Sequence, residues 1–334
     1  MTRQSQKSGD DSNNFQAENM VVNYGIDEKR AREVFQEMNL QHRKEYTQEA
    51  LEIANARIAE FENSLMPKME QVEGALEAFA DSGFQILLVE AQKTASSTER
   101  PADYDLLSEL LIHRFEKGDN RNSRAGISLA VEIVDKVSDE ALIGLTVSHA
   151  VTQFVPISGH IHQGLDTLDG LFGQIIYGEL PAGQEWLDHL DILNATRLSS
   201  FGGMKKVRDY YSDMMSGYVD VGINKGSENF SKAIDVLDRN NLPRDLLIDH
   251  EFNNEFQRIP VANRGHIQEL SLRQVVMEKG SQRLNTVALT REQIDAIDLI
   301  YGLYSQDNDL KKNNIDSLMV EWDKRSSLKL LREW

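Results

Sequence analysis

The residues best suited to chemistry cluster at His160-Ile161-His162, with His149, Asp166 and Asp169 close by in sequence. Imidazoles and carboxylates at such spacing are the composition of a divalent-metal site, or of a histidine working as general base. Two histidines two apart share a face only on an extended backbone. Leu165, Leu168 and Leu171 follow at helical spacing, and a helix would splay the pair. With no cysteine in the chain, no thiolate completes a ligand set, so no metal and no cofactor is expected. Surface and capping histidines are the reading that follows.

Three other patterns are weaker. Gly202-Gly203-Met204-Lys205-Lys206 sets glycines and lysines at a helix start, where free N–H groups hold anions. The spacings GxxxxGK[ST] and GxGxxG are both absent, and a helix-entry turn explains the stretch. Asp245 with Asp249, and Glu251 with Glu255, stand at i, i+4. Such pairs share a proton or bind Mg²⁺, but solvated helix faces carry them routinely. No serine sits in a GxSxG elbow. The catalytic residues therefore stay unassigned.

The elements that must position these residues read as mainly α. Residues 1–25 form a flexible arm and an assembly strand. Residues 26–100 form a long helix or helical hairpin, and residues 101–334 a helical body. In the arm, Phe15, Ala17 and Val21 fall on one face of an extended segment, and Met20, Val22 and Tyr24 on the other. A strand ahead of a helical body has few partners in its own chain, so it seeks them in other copies. The oligomerisation residues expected are Phe15, Val21, Val22 and Tyr24, together with the heptad stripe Leu51, Ile58, Phe61 and Leu65. A helical hairpin inside the protein explains that stripe equally well.

Pro67 is expected to break the long helix, and 93–102 to be a loop. Beyond it Leu129, Ile133 and Val137, then Leu142, Leu145 and His149, mark helix faces. Ser138-Asp139-Glu140 reads as a helix cap, and Thr290-Arg291-Glu292-Gln293 as a capping box. Ile294, Ile297 and Tyr301 continue that helix. Ile315, Leu318, Met319 and Trp322 mark the last one.

A net charge of −18 argues against a general phosphate-backbone binder, so nucleic acid is not an expected partner. No run approaches the roughly 18 apolar residues of a membrane span, and the first residues lack a secretory apolar stretch. The reading is an acidic cytoplasmic homo-oligomer that also meets a protein partner.

These residues carry a resemblance. Gly9-Asp10-Asp11-Ser12-Asn13-Asn14-Phe15-Gln16-Ala17, then Asn23-Tyr24-Gly25, resembles the opening of a poorly characterised bacterial family of helical proteins. Phe15 stands where isoleucine is usual. Phe84-Gln85, Glu90 to Lys93, Asp105 to Leu111 with Arg114, and Leu187 to Gly203 are also similar to it. Such openings resemble those of proteins at bacterial conflict and antiphage loci, which implies an assembly segment and a defence or sensing role. The resemblance transfers no catalytic residue. The expectation is an oligomeric sensor or regulator; the alternative is a hydrolase or nuclease using acidic residues and His160 or His162.

Overall fold

The computed structural model describes residues 26–42, 47–117, 120–196, 205–278 and 281–334. Phe15, Val21, Val22 and Tyr24 lie outside them. The protein is mainly α and divides into two compact units, Met1–Val137 and Ser138–Trp334.

The first unit holds α1 (Glu28–His42), α2 (Gln48–Gln71), α3 (Ser82–Ser97), α4 (Pro101–Lys117) and α5 (Arg121–Ile133). Its core is the apolar stripe of the longest helix, α2. Ala54, Ile58, Phe61 and Leu65 recur at three- and four-residue intervals and are buried, while Leu51 is half-buried. Phe61 meets Phe35 of α1 with ring centroids 5.7 Å apart. Ile58, Phe61 and Leu65 are thus enclosed within this unit.

Pro67 does not end α2, which continues to Gln71. The missing N–H and the ring clash cost about 3 kcal/mol in a helix interior. Met66 and Met69, both fully buried beside it, offset that cost by packing. The expected loop at 93–102 is also shorter, because α3 runs to Ser97 and α4 begins at Pro101. Buried Asp103 closes this turn by accepting from Thr98 Oγ1 and from Arg100 Nε at 3.1 Å. In α5 the buried residues are Ile127 and Val131, not Leu129 and Ile133.

The second unit continues with α6 (Asp139–Gln153), α7 (Ile161–Ile175), α8 (Glu185–Ile192), α9 (Val207–Met214) and α10 (Ser216–Val219). Strand β1 (Ile223–Asn224), α11 (Glu228–Arg239), β2 (Ile248–His250) and β3 (Asn253–Arg258) follow. Then come β4 (Ser271–Glu278), β5 (Ser281–Ala288), α12 (Arg291–Tyr301), α13 (Asn308–Asp323) and α14 (Ser326–Glu333). The Ser138 hydroxyl caps α6 by accepting from Ala141 N at 3.2 Å. Its buried face is Ile143, Gly144 and Val147, while Leu145 and His149 are exposed. Leu318, Met319 and Trp322 of α13 are buried, but α14 follows as a further helix.

The strands were not anticipated. A three-stranded antiparallel sheet has the order β1-β3-β2, with Ile223 and Asp249 both opposite Gln257. Separately, β4 and β5 form a two-stranded antiparallel hairpin in unbroken register from Ser271↔Ala288 to Glu278↔Ser281. Among the described residues no helix is long and apolar enough to cross a membrane.

The capping box is present: Gln293 N donates to Thr290 Oγ1 at 3.3 Å, and the Gln293 side chain accepts from Thr290 N at 3.1 Å. Thr290→Ala should therefore lower stability by about 1 kcal/mol in chemical denaturation. An unchanged midpoint would show that the Gln293 contact to Asn240 O carries the helix start alone.

Candidate functional site

The site is built on one ion pair whose guanidinium is buried and whose carboxylate is partly exposed. Short β2 and β3 are joined by a tight turn that carries Glu251, and β3 ends on Arg258. Arg258 is fully buried, and its guanidinium grips the Glu251 carboxylate with Nε–Oε2 at 3.0 Å and Nη2–Oε1 at 2.9 Å. Its remaining donors reach Gly159 O at 2.7 Å, and Gly217 O and Ile259 O at 3.3 Å. A buried guanidinium needs this saturation, since each unpaired N–H would carry its full desolvation penalty.

Glu251 also accepts from Ile161 N at 3.2 Å, at the first residue of α7. The N-cap of that helix, His160, makes no side-chain cap bond, so the carboxylate caps α7 from 90 residues away in sequence. Burial pushes the Glu251 carboxyl up, but the Arg258 guanidinium outweighs it and holds the group below its ordinary value. Arg258 lies 5.7 Å from the Tyr218 ring, and the Tyr218 hydroxyl donates to Ser158 O. That hydroxyl needs a glycine opposite: a Cβ on Gly164 would lie 1.9 Å from it.

Beside this pair sits His250, 1% exposed. Its Nδ1 accepts from Phe252 N at 3.1 Å, so the proton is on Nε2, which faces Asp220 O at 3.1 Å. Burial and the nearby Arg258 charge push the imidazole down to about 4, and it is neutral at pH 7. Asn314 of α13 donates to Val219 O at 3.1 Å, fixing the end of α10 next to Asp220.

Asp220 is where this interior opens to a cavity of about 460 Å³. One carboxylate oxygen accepts from the Tyr301 hydroxyl, and the other lies 2.7 Å from Lys311 Nζ in the first turn of α13. Burial and the Asp220 charge raise the Tyr301 hydroxyl, so it stays protonated and donates. Arg264 lies 5.3 Å from the Tyr301 ring and pairs with Asp298 at 2.6 Å. Tyr301 in turn stacks on Tyr304, whose hydroxyl accepts from Ile259 N at 2.6 Å. The walls are polar: the cations Arg264 and Lys311, the Tyr301 hydroxyl and the carboxylates of Asp220 and Asp307 line one space. Such a cleft suits recognition of a small polar ligand with an anionic group, which Lys311 and Arg264 would meet.

The residues singled out in sequence sit elsewhere. His149, His160 and His162 are exposed, and His162 Nδ1 is 3.5 Å from Glu321. Asp166 pairs with Arg325 at 2.7 Å, and Asp169 accepts from Ser327 N at 2.9 Å. Among the described residues no three His, Asp or Glu side chains form a metal-holding group. Lys205 pairs with Asp213 at 3.6 Å ahead of α9, while Gly202, Gly203 and Met204 lie outside the described residues. Neither acidic pair lies on an α-helix: Asp245 is in a single 3-10 turn, Asp249 is in β2 and bonds Lys225 and Gln257, and Glu255 is in β3. Helical spacing arose there by coincidence, because strand and turn residues four apart also occur in compact hairpins.

A protein-family model, described only as a "-like" family, matches residues 25–330, a span that begins after the Gly9–Ala17 segment. No curated protein and no solved structure matches the chain.

Proposed function

The chain belongs to the family whose model it matches over residues 25–330, and from that premise we propose that it is an oligomeric sensor or regulatory protein. Its N-terminal segment joins copies, and its second unit reads a small polar, anionic ligand in the Asp220 cleft. The observation that carries the reading is Asp220 itself, whose carboxylate holds Tyr301 of α12 and Lys311 of α13 at the cavity wall. An anionic ligand that engages Lys311 competes with Asp220 for it. Binding there would alter how α13 is held against the end of α10, which is the kind of differential contact a sensor requires. The likeness of the opening residues to those of proteins at conflict loci supports antiphage defence as the setting.

Two measurements test this. Inorganic phosphate and nucleoside mono- and triphosphates should be screened by thermal unfolding. A probe present at about 100 times its Kd stabilises by about 2.7 kcal/mol. Lys311→Met should abolish the response. The ligand reading fails when no probe raises Tm, or when Lys311→Met responds as the parent does. Light scattering should give a lower mass for protein lacking residues 1–24, and an unchanged mass would reject the assembly reading.

A further inference from the structure

The hairpin β4–β5 is two strands of eight residues each, and among the described residues no third strand joins either outer edge. Each edge presents a row of backbone N–H and C=O groups, on alternate residues, that a further strand would satisfy. Neither strand contains proline, which would block such addition.

We propose that residues 15–24 of one copy add as a third strand to a free edge of the β4–β5 hairpin of another copy. The inference rests on the assembly reading above and names its docking surface. Three observations select this occupant. First, length fits: ten residues in extended form reach about 33 Å, enough to run the whole of an eight-residue edge of about 26 Å. Second, the segment from Phe15 to Tyr24 has no proline or glycine and, read as an extended chain, carries apolar residues on both faces, so no residue type in it opposes strand pairing. Third, charge is complementary. In a chain of net charge −18 the two hairpin strands carry Arg273 and Arg283 against Glu278 alone. Residues 15–24 carry Glu18 with no lysine or arginine, and Asp10 and Asp11 precede them. Opposite charge steers the approach and helps set strand direction. Main-chain pairing supplies the affinity, as in other strand-addition interfaces.

The absence of native cysteine makes the test direct. Full-length Asn19→Cys protein is mixed with differently tagged full-length protein carrying one cysteine on β4 (Leu272→Cys, Gln274→Cys or Val276→Cys) or on β5 (Gln282→Cys, Leu284→Cys or Thr286→Cys). Adjacent strands bring Cα atoms to about 4.5–5.5 Å, within disulfide range. Under mild oxidation, at least one position on one edge should give a covalent heterodimer, and Ser305→Cys should give none. Crosslinking at no hairpin position overturns the proposal. So does a chain carrying both Asn19→Cys and one of these hairpin cysteines, if it closes only within itself. A lowered mass on deleting residues 1–24 with no hairpin crosslink rejects this docking surface and leaves the assembly reading standing. An unchanged mass on that deletion rejects both.

Discussion

Arg258→Met should lower the stability of the second unit by about 3 kcal/mol, the low end of the cost of breaking a buried pair, because the Glu251 carboxylate is partly exposed. The substitution leaves Glu251 facing the space of a fully buried guanidinium and strips donors from Gly159 O, Gly217 O and Ile259 O. Intrinsic fluorescence isolates the effect, because Trp186, Trp322 and Trp334 all lie in Ser138–Trp334. The denaturant midpoint read by tryptophan emission should therefore fall sharply. Adding Glu251→Leu to Arg258→Met should recover part of the loss, since it removes the stranded carboxylate, at the expense of the α7 cap at Ile161 N. A loss below about 1 kcal/mol, or a double variant no better than the single, would show that solvent reaches the pair and screens it.

Acid should destabilise the same unit through His250, with a loss of about 3 kcal/mol between pH 6.5 and pH 4. The imidazole pKa is about 4 in the fold and 6.5 when free, because burial and Arg258 disfavour the cation. Well above pH 6.5 the ring is neutral in both states and contributes no pH dependence. Below it the unfolded chain binds a proton that the folded chain refuses, at a cost of about 1.4 kcal/mol per pH unit until pH 4. Tryptophan-monitored denaturation at pH 7.5, 5.5 and 4.5 reads this slope. His250→Gln should flatten it, whatever its effect at pH 7.5. Equal slopes for parent and variant would assign acid sensitivity to other groups.

Local signals in this chain were legible and long-range ones were not. Ser138 and Thr290 announced helix starts because a cap needs only residues within one turn. The stripe Ile58, Phe61 and Leu65 marked a buried helix face, although spacing alone left open what covers it. In α5 and α6 the buried face differs from the expected one, because apolar residues are dense enough there to support more than one stripe. The hairpin does carry a sequence signal, Val275-Val276-Met277 and a glycine at 280 between two eight-residue runs. Arg258 had none. Its partners at Gly159 and Gly217 are 99 and 41 residues away, and no window of sequence contains them together. Asp220 was equally hidden, since Tyr301 and Lys311 come to it from 81 and 91 residues downstream.

The same separations govern time as well as stability. Closing a loop of about a hundred residues costs chain entropy before any contact rewards it, so the bonds from Arg258 to Gly159 and from Glu251 to Ile161 are expected to form late in folding. Interactions absent from the transition state act on the escape rate and not on the rate of arrival. In stopped-flow measurements Arg258→Met should barely slow refolding, while unfolding accelerates by about two orders of magnitude for the loss expected above. A refolding rate that falls in proportion would place the pair in the nucleus instead. On this account the ion pair sets the lifetime of the folded unit, and with it how long a cleft at Asp220 persists between one unfolding event and the next.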